Sequence, residues 1–203
     1  GVVAQDRLPP SMCGHGKPWP YEYNPETAKE LLADAGYPNG LDVEFWYMPV
    51  SRPYFPSPQP IAEAVASYLA DVGIRAELKT EDWTTYLADY PTGKFPMYML
   101  GWNADYADPE NFLLTFFGPD HSAAQGWDNP DVLEALAKAG QIGDQDERAA
   151  LYASVVDAVA DAAASIPMAH NVSLNATRKN ISGWIPSPLG FSSVSLHPVT
   201  KTE

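Results

Sequence analysis

The sequence predicts an α/β domain built on a mixed, largely parallel sheet flanked by helices. Two observations lead to it. Period-two and wholly apolar runs of strand length alternate with helical stripes. The helix starts are announced by Asn-Pro or Asp-Pro pairs followed by an acid, at Asn24-Pro25-Glu26, Asp108-Pro109-Glu110 and Asn129-Pro130-Asp131.

Residues 1–23 carry Pro9, Pro10, Pro18 and Pro20 with Gly14 and Gly16, a pattern that breaks helix and interior strand alike. They read as a Pro-rich crossover arriving from another domain, and residues 24–203 as the lobe itself. A first helix from Asn24 places Leu31, Leu32 and Ala35 on an apolar face and stops at Gly36. Leu41, Val43, Phe45 and Tyr47 alternate with Asp42, Glu44 and Trp46, which predicts a half-buried strand. After a Pro-rich loop, Ile61, Ala64, Val65, Tyr68, Leu69 and Val72 form a helical stripe ended by Gly73. Ile74, Ala76 and Leu78 alternate with Arg75, Glu77 and Lys79 as a second strand. A short helix from Trp83 to Tyr90 leads to the apolar run Phe95–Leu100, expected to be a central strand buried on both faces. Helices follow from Asp108, from Asn129 to about Ile142, and over Asp146–Ala163, the last with Leu151, Val155, Ala158, Val159 and Ala162 on one side. Ile166–His170 is expected to be the last core strand.

Composition narrows the function. The 203 residues carry a net charge of −14 and no basic run, which disfavours nucleic acid as a partner. A single cysteine, Cys13, forbids an internal disulfide. The sequence has no Gly-rich phosphate loop, no Gly-x-Ser-x-Gly elbow and no His-Glu-x-x-His. His15, His121, His170 and His197 lack metal-ligand spacing, so neither a metal nor a cofactor is expected.

Ligand sites in open α/β sheets lie beyond the carboxyl ends of parallel strands. Two loops leave such ends, Met48-Pro49-Val50-Ser51-Arg52-Pro53-Tyr54 and Gly101-Trp102-Asn103-Ala104-Asp105-Tyr106-Ala107-Asp108-Pro109. The first carries one cation, Arg52, whose planar fork suits a carboxylate, on a backbone stiffened by proline. The second carries Asp105, which suits an ammonium group, and Trp102, a flat wall. Asp108 has a helix to cap, so its expected work is structural. A dipeptide's termini lie about 7 Å apart, and adjacent or next-but-one strands about 5–10 Å, so the two scales agree for a short zwitterion. From the residues alone, Arg52 and Asp105 are equally free to pair with each other or with surface neighbours. An acid/base role for Asp105 and Asp108 in a hydrolase is a further alternative.

The two loops resemble the dipeptide-binding branch of the peptide/nickel-type solute-binding proteins of ABC transporters. Leu8-Pro9-Pro10-Ser11-Met12, Tyr23-Asn24-Pro25-Glu26, Glu81-Asp82-Trp83 and Pro188-Leu189-Gly190 support the likeness, which runs in order along nearly the whole chain. Cys13 stands where the family pattern has an aromatic, and Ala104 where it has a glycine. The resemblance implies the second lobe of a two-lobed, type II periplasmic-binding-protein-like fold, located outside the cytoplasmic membrane and working with a first lobe and a permease. It implies a short peptide ligand, with Arg52 taking its carboxylate and Asp105 its free amine. Trp102, Tyr54, Asn103 and Ala104 are the expected site neighbours. It implies no enzymatic activity. A longer oligopeptide, haem, a nickel chelate or a sugar is the alternative cargo for the same fold.

Overall fold

The computed structural model describes residues 1–121, 124, 126–172, 174–187, 189 and 195–203. The chain order is β1 (Val2–Val3), α1 (Pro25–Asp34), β2 (Leu41–Trp46), α2 (Pro58–Ala70), β3 (Ile74–Lys79), α3 (Trp83–Asp89) and β4 (Met97–Tyr98). Then come α4 (Glu110–Phe117), α5 (Pro130–Ala139), α6 (Gln145–Asp161), β5 (Ala169–His170), β6 (Ile181–Ser182) and β7 (Thr200–Lys201).

The central sheet is parallel, in the order β3-β2-β4. The α/β lobe with a parallel sheet flanked by helices is thus the architecture the sequence predicts. β2 pairs with β3 along its whole length, from Leu41 opposite Ile74 to Trp46 opposite Lys79. The two strands start almost in contact: Gly40 has φ +75°, and a Cβ there would overlap the Gly73 carbonyl. Side chains alternate across the sheet. Phe45 faces α2, against Ala62, Ile61 and Val65, while Trp46 turns to the opposite face and stacks on Phe95 at 4.4 Å.

A second body of core lies beyond β4. Phe112, Leu113, Phe116 and Phe117 of α4 pack against Val132 and Leu136 of α5 and against Tyr152, Val155, Val156 and Val159 of α6. Leu8, fully buried, and Met12 join this cluster from the Pro-rich segment. The helix starts follow the capping logic: Asn24 Oδ1 accepts from the Thr27 amide, and Asn129 Oδ1 from Asp131 and Val132.

Four expectations need correction. Phe95–Leu100 is not a central strand: β4 is two residues long and pairs with β2 alone among the described strands, so β2 is the central one. The run is apolar because Phe95 and Met99 are buried under neighbouring side chains, not because it is paired on both edges. Ile166–His170 is not a core strand either. Ile166 is 74% exposed, and only Ala169–His170 pairs, antiparallel to β1. The stripe on α2 is rotated from the predicted one: Ala62 is its buried residue, while Tyr68 stands in solvent. The predicted face of α1 has no fully buried residue: Leu31 and Ala35 are exposed and Leu32 is half-buried.

Candidate functional site

The site is built where β2 and β4 end side by side. Tyr86 of α3 pins these ends. Its buried hydroxyl lies 2.8 Å from the Met99 carbonyl and 3.3 Å from that of Trp46, one oxygen from each strand end. Burial pushes this phenol far above its ordinary pKa, so it stays a donor.

The loop after β2 turns sharply at Arg52-Pro53-Tyr54-Phe55. The Phe55 amide donates to the Arg52 carbonyl at 2.9 Å and the Arg52 amide to the Phe55 carbonyl at 3.0 Å. Proline at the second position presets this turn. Tyr54 then leans across to the loop after β4: a Cβ on Gly101 would overlap its ring, so glycine is what lets the two loops meet. Burial raises the Tyr54 pKa, against the pull of the Arg52 guanidinium, which favours the phenolate.

The loop after β4 is tied down by Asn111, a buried polar residue near the start of α4. Its Oδ1 accepts both from Trp102 Nε1 and from the Asp105 amide, each at 2.9 Å. Trp102 also meets the Phe116 ring edge-on, 6.3 Å between centroids. The loop's middle is thereby fixed to the helical core, while the side chains of Asn103 and Asp105 stand in solvent and Ala104 is half-buried.

The charges at this place are not neutralised by the described residues. Arg52 makes no ion pair with a described residue, its Nε is buried without an acceptor, and its guanidinium lies over the Trp83 indole, 4.7 Å from the ring centroid. Asp105 likewise has no ionic partner among the described residues, so the two do not pair with each other. Asp108 differs. Its carboxylate accepts from the Glu110 amide at 2.9 Å, lies 2.7 Å from Arg148, and accepts from the Tyr152 hydroxyl at 3.1 Å. Asp108 is thus structural, though not as the N-cap expected, since Pro109 holds that position; its bonds to Arg148 and Tyr152 remove it from any acid/base pair with Asp105.

Sequence reasoning missed three parts of this arrangement: Trp83 under Arg52, Asn111 behind the second loop, and Tyr86 between the strand ends. Trp83 opens α3 just after β3, the third parallel strand end, and that position was the available signal. Tyr86 acts on carbonyls 40 and 13 positions away, and Asn111 reaches back 9 and 6 positions, spacings that no helix or strand period encodes.

Comparison with known proteins identifies the family. The family model for bacterial extracellular solute-binding proteins, family 5 Middle, matches residues 1–124. The dipeptide-binding protein of Escherichia coli is 33% identical over 97% of this chain and 38% of its own length. Heme-binding protein A of Haemophilus influenzae is 33% identical over 94% of this chain and 36% of its own length. The structure of HbpA2 from Haemophilus parasuis superposes with a TM-score of 0.86 at 33% identity, covering 100% of this chain and 40% of that one. A dipeptide-binding protein from Pseudoalteromonas sp. SM9913, solved with Met-Leu, gives a TM-score of 0.80 at 28% identity, covering 100% and 40%. The chain thus spans about two fifths of the length of these relatives. It belongs to the family 5 extracellular solute-binding proteins, a family of binding proteins and not of enzymes.

Proposed function

We propose that this chain is the ligand-gripping lobe of an extracytoplasmic binding protein that delivers dipeptides or similarly short peptides to an ABC importer. Arg52 takes the peptide's carboxylate and Asp105 its ammonium group. Trp102 and Tyr54 wall the space between them, and Asn103 and Ala104 offer backbone to the ligand. One observation carries this reading. A cation and an anion stand on loops at adjacent parallel strand ends, joined by Tyr54 against Gly101, and neither has an ionic partner among the described residues. Unpaired charges held on stiff loops are ready for a zwitterion at little ordering cost. The names of the relatives from Escherichia coli and Pseudoalteromonas agree with a dipeptide.

In this reading residues 1–23 are the crossover from a first lobe and residues 24–203 the lobe proper. The antiparallel pair β1–β5 ties the incoming crossover to the lobe, a position suited to the hinge about which the lobes close. The exposed Ile166, Leu174, Ile185 and Leu196 in the last part of the chain are surface suited to cover by that partner lobe. Closure excludes water and strengthens both ion pairs. The closed form docks on a membrane permease, which places the protein in the periplasm or at the cell surface.

The test compares three ligands on the full-length protein: a free dipeptide, its N-acetyl form and its C-terminal amide. The free dipeptide is expected to bind at least tenfold more tightly than either capped form, because each cap removes one charge-assisted contact. Equal affinities reject the assignment. Haem is the second reading, favoured by the name of the Haemophilus influenzae relative. Its propionates suit Arg52, but haem has no ammonium for Asp105. A Soret shift on titrating haem into the full-length protein, retained in Asp105→Asn, would select it.

A further inference from the structure

Arg52 has an unusual neighbour for a guanidinium at a strand end. The face it meets belongs to Trp83, not to a carboxylate. Acids are close at hand in the same loop, but they are used otherwise. Asp82 caps α3, accepting from the Thr84 amide at 2.9 Å and the Thr85 amide at 3.4 Å. Glu81 pairs with Lys94 at 3.0 Å, and Lys94 also reaches Asp89. Trp83 is itself held in place, stacked on Tyr86 at 5.8 Å, the residue that pins β2 to β4.

The chemistry of the stack differs from that of an ion pair. A carboxylate partner would use two N–H groups of the fork and cancel its charge, and a ligand would have to displace it. An indole attracts the cation through its face and leaves the in-plane N–H donors unused. That is the state found here: no described residue accepts a hydrogen bond from the Arg52 side chain, and its Nε is buried and unpartnered. A bare guanidinium on a chain of net charge −14 would otherwise be drawn to one of the surrounding acids.

We propose that Trp83 is the positioning residue of the carboxylate anchor: its indole holds the Arg52 guanidinium in place while leaving its charge and donors free for the ligand. Trp83 therefore sets the preference for a free C-terminus over a blocked one. This rests on the peptide reading above. It extends that site from two strand ends to three, since α3 begins just past the end of β3.

The experiment measures alanyl-alanine, its amide and its N-acetyl form by calorimetry on the full-length protein. Wild type is compared with Trp83→Met, Trp83→Leu and Trp83→Phe. The acid-to-amide affinity ratio is expected to fall about tenfold in Trp83→Met and Trp83→Leu, and less than threefold in Trp83→Phe, which keeps an aromatic face. The free-to-acetylated ratio, which reports on Asp105, should stay within twofold of wild type in all three. A Met or Leu variant that keeps the wild-type acid-to-amide ratio overturns the inference. So does a parallel fall in both ratios, which would signal general loop damage. Failure of both variants to fold, seen by circular dichroism, also overturns it by assigning Trp83 to the core. Wild type that binds acid and amide equally instead contradicts the anchor reading itself.

Discussion

Two regions of this lobe handle charge in opposite ways. Under the helices, Asp108, Arg148 and Tyr152 form a closed set: Arg148 Nη2 lies 2.7 Å from Asp108 Oδ2 and donates to the Tyr152 hydroxyl at 2.8 Å, and Tyr152 donates to Asp108. At the strand ends, three residues from Asp108, Asp105 projects into solvent with no ionic partner among the described residues, and Arg52 rests on an indole. The first set ties the loop before α4 to α6. The second is held by neutral contacts, through Asn111, Trp83 and Tyr54, so its charges stay available. Residue type does not separate the two acids; what surrounds them does.

The contrast can be broken by mutation, and the largest effect belongs to the helical side. Tyr152→Ala removes a fully buried ring and a hydroxyl that both partners use. It should cost about 3–5 kcal/mol of stability, read by urea denaturation. Arg52→Gln and Asp105→Asn should act on binding instead. Each is expected to lose about 1.5–3 kcal/mol of dipeptide affinity by calorimetry, with stability changed by less than about 0.5 kcal/mol. Asp108→Asn sharpens the comparison because it is chemically the same change as Asp105→Asn. It should cost about 1–2 kcal/mol of stability and leave the acid-to-amide binding ratio unchanged. Loss of binding specificity in Asp108→Asn, or of stability in Asp105→Asn, would erase the distinction.

The smallest effect concerns the crossover. His170 ends β5, and its pKa is lowered, first by burial and also by His15, with Asp6 opposing both. Its neutral form is therefore favoured in the folded chain. The stability it contributes is complete above the unfolded histidine value of about 6.5 and declines as pH falls below that. Thermal melts between pH 7.5 and 5 should show this decline, and His170→Gln should flatten it.

Helix starts were legible in the sequence because capping is local. Asn24 and Asn129 accept the amides that their Asn-Pro signatures imply, whereas Asp108 falls one residue before the cap, Pro109, and accepts from the Glu110 amide while also binding Arg148. Which strand lies in the middle was not legible. An apolar run reports burial, and Phe95 and Met99 obtain theirs from side chains rather than from a second paired edge. Ile166 and Leu31 failed in the other direction, as apolar residues left exposed within the described chain. The stripe on α2 missed by about one position, enough to turn Tyr68 outward and Ala62 inward. The two loops could be picked out from their position after predicted strands and from their family resemblance. The contacts that hold them could not, because Trp83, Asn111 and Gly101 meet their partners across 31, 9 or 6, and 47 positions of sequence.

The central claim is that Arg52 and Asp105 hold the two ends of one short peptide. A crystal structure of the full-length protein with a bound dipeptide tests it most directly. The expected result is the ligand's carboxylate within hydrogen-bonding distance of the Arg52 guanidinium and its ammonium within the same reach of the Asp105 carboxylate. A dipeptide whose charged ends are met by other residues, with Arg52 still lying over Trp83 and Asp105 still in solvent, would contradict it.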